Sequence, residues 1–315
     1  ALDFTALAEL DITIEGDLGA GEDEATLALG DLAEGASVTF EANLGRDSDE
    51  LAVTVDGEIA EGAELVVEAE GERGDDEVSV EVNGDVADDA TLEVAFDGER
   101  GNDTLDVVVD GDVGENAAVE VAFDGERGND EAAVEITGDL GEDAAVEVTL
   151  DGERGDDILD VVVDGDLAEG ATAEVEFDGE RGDDEAAVEI TGDIAEGATV
   201  DIAFDGERGD DEAVVEVLGD VAEDAELLVD IAGGRGEDML DLAVEGDIAE
   251  GATVELAFDG DRGDDVASLS MPGEVDEDAD IEVSLNGGPG ENELTLEPED
   301  LADLIGIDVG EFEIA

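Results

Sequence analysis

The sequence predicts an all-β fold, a repetitive β-solenoid of about ten to eleven 27-residue coils with two strands in each coil. Three observations predict it. The nine basic residues are Arg46, Arg73, Arg100, Arg127, Arg154, Arg181, Arg208, Arg235 and Arg262, and every gap between them is 27 residues. A fixed period of this length is the mark of a stacked repeat. Within each copy apolar and polar residues alternate with period two, the pattern of a half-buried strand. An aliphatic residue also recurs in the middle of one turn of each copy, where a simple hairpin would leave it in water.

A representative copy runs from Arg181 to Glu207, RGDDEAAVEITGDIAEGATVDIAFDGE. Ala186, Val188 and Ile190 share one face of its first strand; Val200, Ile202 and Phe204 share one face of its second. β-Branched residues favour both strands, and glycines punctuate the two turns between them. The inward positions line up from copy to copy. One row is Ala42, Ala69, Phe96, Phe123, Leu150, Phe177, Phe204, Ile231, Phe258 and Leu285. The mid-turn row is Leu32, Ile59, Val86, Val113, Leu140, Leu167, Ile194, Val221, Ile248 and Val275. An alternative with the same alternation is an antiparallel β-meander or sandwich of about twenty strands, whose open apolar face would need a second layer.

The array is expected to span residues 19–296. Residues 1–18 form an N-terminal strand or cap, in which Ile12 and Ile14 alternate out of register. Residues 297–315 form a C-terminal cap. There Pro298 and acidic residues precede Leu301, Leu304 and Ile305 at helical spacing, and EFEIA reads as a last short strand. Such segments either close the open ends of the stack or dock on a neighbouring molecule, because an exposed edge strand is a template for pairing.

Composition excludes many functions. The chain has 102 Asp plus Glu against its nine arginines, a formal charge of −93, and no Cys, His, Lys, Trp or Tyr. Thiolate, Ser-His-Asp, Schiff-base and P-loop chemistry therefore lack their residues. Phosphate is repelled, so nucleic acid is not an expected partner. No apolar run approaches the roughly 20 residues of a transmembrane helix. Carboxylates are evenly spread and no nucleophile breaks the pattern, so an enzyme is not expected. The start at Ala1 fits a removed leader or ordinary loss of Met.

Stacked carboxylates about 5 Å apart repel by roughly 1 kcal/mol per pair in water. The copy from Arg181 to Glu207 holds nine acids and one Arg. Screening salt or bound divalent cations must relieve this repulsion. Two acidic rows stand out: Asp97, Asp124, Asp151, Asp178, Asp205 and Asp259; and Asp76, Asp103, Asp130, Asp157, Asp184, Asp211, Asp238 and Asp265. Each Arg is expected to bridge carboxylates on its own and adjacent coils.

The turn DGERGNDTLD, Asp97 to Asp106, resembles the G-G-x-G-x-D-x-L-x nonapeptide of RTX calcium-binding β-rolls. Gly98, Gly101, Asp103 and Leu105 match, and Glu99 stands for the second Gly. That resemblance implies Ca²⁺ held by the second aspartate row, Asp76 through Asp265. The competing reading is of solvated acidic loops with diffuse counter-ions. The composition also resembles that of surface proteins from extreme halophiles. Together these features lead us to expect an extracellular or cell-surface structural protein, a rod that polymerises with itself through its terminal segments. The alternatives are a monomeric calcium-binding or adhesive module and an acidic template for mineral deposition.

Overall fold

Each copy makes two strands that lie in different sheets. In the copy beginning at Arg181 they are Glu185–Ile190 and Thr199–Asp205. The computed structural model of the protein describes residues 2–4, 11–298, 301, 307–310 and 312–314. Glu185–Ile190 pairs in parallel with Ile158–Val163 before it and Glu212–Val217 after it, with Val188 opposite Val161 and Val215. Thr199–Asp205 pairs in parallel with Thr172–Asp178 and Glu226–Ala232, with Phe204 opposite Phe177 and Ile231. Repeated along the chain, this gives one sheet of thirteen strands and one of twelve. Consecutive strands never pair with each other; each pairs with its equivalent one coil away. The fold is a parallel β-solenoid of about ten turns, and the antiparallel alternative is excluded. At about 4.8 Å per coil the stack is roughly 50 Å long.

The core is one continuous cluster running from Leu27 to Leu301. Both inward strand faces feed it, and the mid-turn aliphatics close its side. Leu167, Ile194 and Val221 bridge one another in parallel and are fully buried. A mid-turn aliphatic is thus core, and this is why the coil is a closed loop around its own interior.

Two turn positions need backbone with positive φ. Gly35, Gly62, Asp89, Asn116, Asp143, Gly170, Gly197, Asp224 and Gly251 occupy one of them, all in the left-handed region. Gly, Asn and Asp are the residues that tolerate it. Gly45, Glu72, Glu99, Glu126, Glu153, Glu180, Glu207, Gly234, Asp261 and Gly288 occupy the other. A glutamate there carries strain of about 1 kcal/mol, which the surrounding stack holds in place.

The end coils are shorter. Asp11–Asp17 pairs with Ser37–Asn43 and Glu24–Leu29 with Glu50–Val55, each at an offset of 26 residues. The segment holding Ile12 and Ile14 is therefore a strand of the stack itself. Asp308–Gly310 and Phe312–Ile314 add the last strands to the two sheets. The helix expected around Leu304 and Ile305 lies outside the described residues.

Aromatic rings meet along the rod: Phe96 stacks on Phe123, and Phe177 packs tilted by 37° against Phe204, each pair with centroids 5.0 Å apart. Phe177 is only 1% exposed. Phe177→Ala is expected to cost about 3 kcal/mol, the lower end for a buried Phe, because the flanking Leu150 and Phe204 can partly close the cavity. Urea unfolding followed by circular dichroism at fixed salt measures it.

Candidate functional site

The second aspartate row is inside the rod. Asp76, Asp103, Asp130, Asp157, Asp184, Asp211, Asp238 and Asp265 are all at most 2% exposed. Each sits where a turn hands the chain from one sheet to the other, D-G-E-R-G-[DN]-D in five coils and EGERGDD, AGGRGED and DGDRGDD before Asp76, Asp238 and Asp265. The left-handed residue, Glu99 in that turn, folds the backbone back so that Asp103 points inward. Its carboxylate Oδ1 accepts the backbone N–H of Asp76 at 2.7 Å, while its own N–H donates to Oδ1 of Asp130 at 2.7 Å. The same bond repeats in each coil, through Asp157 and Asp184 to Asp238, whose N–H donates to Oδ1 of Asp265 at 3.1 Å.

Sequence reasoning missed both ends of this ladder. Asp49 belongs to it, 3% exposed, accepting from the Asp23 N–H at 2.7 Å. Asn292 completes it by accepting from the Asp265 N–H at 2.8 Å. The 27-residue step from Asp76 back to Asp49 and from Asp265 on to Asn292 was the available signal.

From Asp76 to Asp265 the residue five before each ladder aspartate is a glycine, and it makes the room. A Cβ on Gly98 would lie 2.6 Å from Oδ2 of Asp103, and one on Gly125 would lie 2.5 Å from Oδ2 of Asp130. That second oxygen is buried and has no hydrogen-bond partner in any of these aspartates. A buried polar atom without a partner is costly. Burial accordingly pushes the carboxyls from Asp76 to Asp265 up from the usual 3.8. Asp103 and Asp184 reach about 8, Asp157 and Asp211 about 7, and Asp76, Asp130 and Asp238 about 6. Desolvation is the largest cause, neighbouring carboxylates add to it, and the accepted backbone N–H opposes it.

Three further rows lie on the surface. Asp97, Asp124, Asp151, Asp178 and Asp205 end successive strands of the twelve-stranded sheet in direct register. Partial burial and the neighbouring acids push Asp124 and Asp178 up to about 6. The exposed row Asp85, Asp112, Asp139, Asp166, Asp193, Asp220 and Asp247 lines the opposite turn. Here each Oδ1 accepts the N–H of the next coil's equivalent, as from Asp112 to Asp85 at 3.0 Å and from Asp247 to Asp220 at 2.7 Å. Asp75, Asn102, Asn129, Asp156, Asp183 and Asp210 form the third row beside the buried ladder. Many acids are therefore anchored by backbone N–H groups.

The nine arginines are exposed, and among the described residues none makes an ion pair within 4.0 Å. This corrects the expectation that they bridge carboxylates. Their backbones do the stacking instead: Gly101 donates to the carbonyl of Arg127 and Gly128 to that of Arg154, both at 3.0 Å. Among the described residues no group of three or more acids converges on a point that could hold a metal ion. Each coil supplies one ladder carboxyl, hydrogen-bonded along the rod axis. No helix among the described residues is long and apolar enough to cross a membrane. No protein-family model, curated protein or solved structure matches the chain.

Proposed function

We propose that the chain is an extracellular structural subunit, an acidic β-rod that joins end to end into a filament or matrix fibre. The observation that carries this reading is the pair of unpaired sheet edges at the two ends. Among the described residues Leu2–Phe4 and Asp11–Asp17 each have one partner strand, and so do Asp308–Gly310 and Phe312–Ile314. All ladders are parallel, so the first strands of one rod offer the donors and acceptors that the last strands of another rod need. Such a contact joins two different surfaces and propagates instead of closing. Beside the C-terminal end, Met271, Val275, Ile281 and Leu301 line a groove together with Asp276 and Glu277.

Deleting 1–18 or 297–315 is expected to abolish polymers in sedimentation while leaving the β-signal in circular dichroism. Polymers that persist in both deletions would overturn the reading.

A second reading rests on the exposed row from Asp85 to Asp247, whose carboxylates repeat at coil spacing. A rod that stays monomeric at every concentration would use such a face to gather cations, Ca²⁺ among them, or to adhere to a mineral. Sedimentation across protein concentration separates the two readings.

A further inference from the structure

We propose that the buried aspartate ladder is a row of neutral carboxylic acids, each donating a hydrogen bond from Oδ2 to the backbone carbonyl four residues before it. The last rung shows the geometry. Asn292 stands where the nine preceding coils have Asp, and its Oδ1 accepts the Asp265 N–H as theirs accept. Its Nδ2 donates to the carbonyl of Gly288 at 2.9 Å. That nitrogen sits where the aspartates put Oδ2. A Cβ on Gly287 would lie 2.5 Å from Nδ2 of Asn292, as one on Gly152 would lie 2.5 Å from Oδ2 of Asp157. The carbonyl equivalent to that of Gly288 belongs to Glu153 in the Asp157 coil and to Glu180 in the Asp184 coil. An ionised Oδ2 would face that carbonyl as a second acceptor, desolvated and unpaired. A protonated Oδ2 is the donor that Asn292 supplies by its amide.

The charges around the ladder act in the same direction. Asp157 is faced by Asp130 of the previous coil and by Asp151 and Asp156 of its own turn. Asp184 is faced by Asp157, Asp211 and Asp156, and Asp103 by Asp76, Asp130 and Asp75. All are acids, and each disfavours an added negative charge. Burial is the larger cause, and with these charges it raises Asp157 to about 7 and Asp103 and Asp184 to about 8.

The consequence is a rod that takes up protons when it folds. The folded carboxyl holds its proton at a pH where the unfolded one, titrating near 3.9, has lost it. The stabilisation from the rungs Asp76 to Asp238 is full below that value and declines as pH rises through their folded values, about 6 to 8. Between about 3.9 and its own folded value, each rung reduces the folding equilibrium about tenfold per pH unit.

Urea unfolding of the full chain at pH 5 and pH 8, at one fixed salt concentration, tests the proposal. In Asp157→Asn the ratio of the folding constants at the two pH values is expected to shrink about 100-fold relative to wild type, because this rung no longer titrates. The outer-face control Asp160→Asn is expected to leave the ratio unchanged. Asp157→Ala, which also removes the acceptor for the Asp130 N–H, is expected to lower stability at both pH values. Isotope-edited infrared spectroscopy of ¹³C-aspartate wild-type protein at pH 5.5 is expected to show neutral carboxyl groups that disappear on unfolding. The proposal fails if no neutral carboxyl is seen, or if Asp157→Asn keeps the wild-type ratio. It fails equally if that variant destabilises the rod and removes a stabilisation specific to added CaCl₂, since the ladder would then hold a cation.

Discussion

Gly155→Ala is expected to cost at least about 4 kcal/mol, at the upper end of single-substitution effects. The cause is the close approach of successive coils at this corner. A Cβ on Gly155 would overlap the carbonyl oxygen and carbon of Gly128, both backbone atoms that cannot swing aside. The same collision repeats at Gly128 with Gly101 and at Gly182 with Gly155. Relief requires the two coils to separate locally. Separation would break the bond from Gly128 N–H to the Arg154 carbonyl, 3.0 Å, and the ladder bond from Asp130 N–H to Asp157, 2.8 Å. Gly197→Ala is the control. Its φ is +74°, so alanine is strained there, but nothing lies within 4 Å of the added Cβ. That change is expected to cost only about 1 kcal/mol. Urea midpoints for both variants at the same salt concentration check the comparison. Equal costs would mean that contact between glycine backbones does not set the coil spacing. The first coil is consistent with the argument. Asp47 occupies the equivalent slot, and the coil before it is one residue short, at an offset of 26.

Strand positions, sheet faces and the stacked core could be read from the sequence because they rest on two periods. Val188 and Ile190 alternate with Glu189, and Phe177 recurs as Phe204 one repeat later. Both facts are local and need no knowledge of the turns. The choice between a coil and a hairpin was also legible, because Ile194 and its equivalents are aliphatic where a solvated tip would be polar. The direction of Asp103 was not. Side-chain direction in a turn depends on backbone dihedrals, and the residue that sets them is Glu99, an unexpected occupant of a left-handed slot. Residue type misled as well, since aspartate is seldom fully buried. Asn292 could have indicated the interior of the ladder, as an amide is a natural substitute for a carboxyl that must donate. The arginine row was misread for a related reason. Proximity in sequence to Glu and Asp implied pairing, whereas neighbours such as Asp75, Asp156 and Asp183 already accept backbone N–H groups.

Stability is expected to rise by several kcal/mol between 0.01 M and 1 M NaCl. Carboxylates in the row Asp85 to Asp247 repeat at coil spacing, about 4.8 Å, and each neighbouring pair repels by about 0.9 kcal/mol in water. The Debye length falls from about 30 Å at 0.01 M to about 3 Å at 1 M, which removes most of that repulsion. For this row alone the relief comes to about 3 kcal/mol, and the row ending the twelve-stranded sheet adds to it. Asp124 and Asp178, raised to about 6 by burial and like charge, mark that second row as under repulsion in the folded rod. The unfolded chain carries the same charge spread over a longer contour, so it gains less from screening. Circular dichroism during parallel NaCl and CaCl₂ titrations, with light scattering in the same cell, measures the effect. Two salts that act only through ionic strength would assign the surface rows to diffuse counter-ions. Millimolar CaCl₂ that matches molar NaCl would assign them to divalent binding, as the RTX resemblance implies. A rod equally stable in 0.01 M and 1 M NaCl would contradict the argument, because carboxylates at this spacing cannot be indifferent to screening unless most of them are neutral.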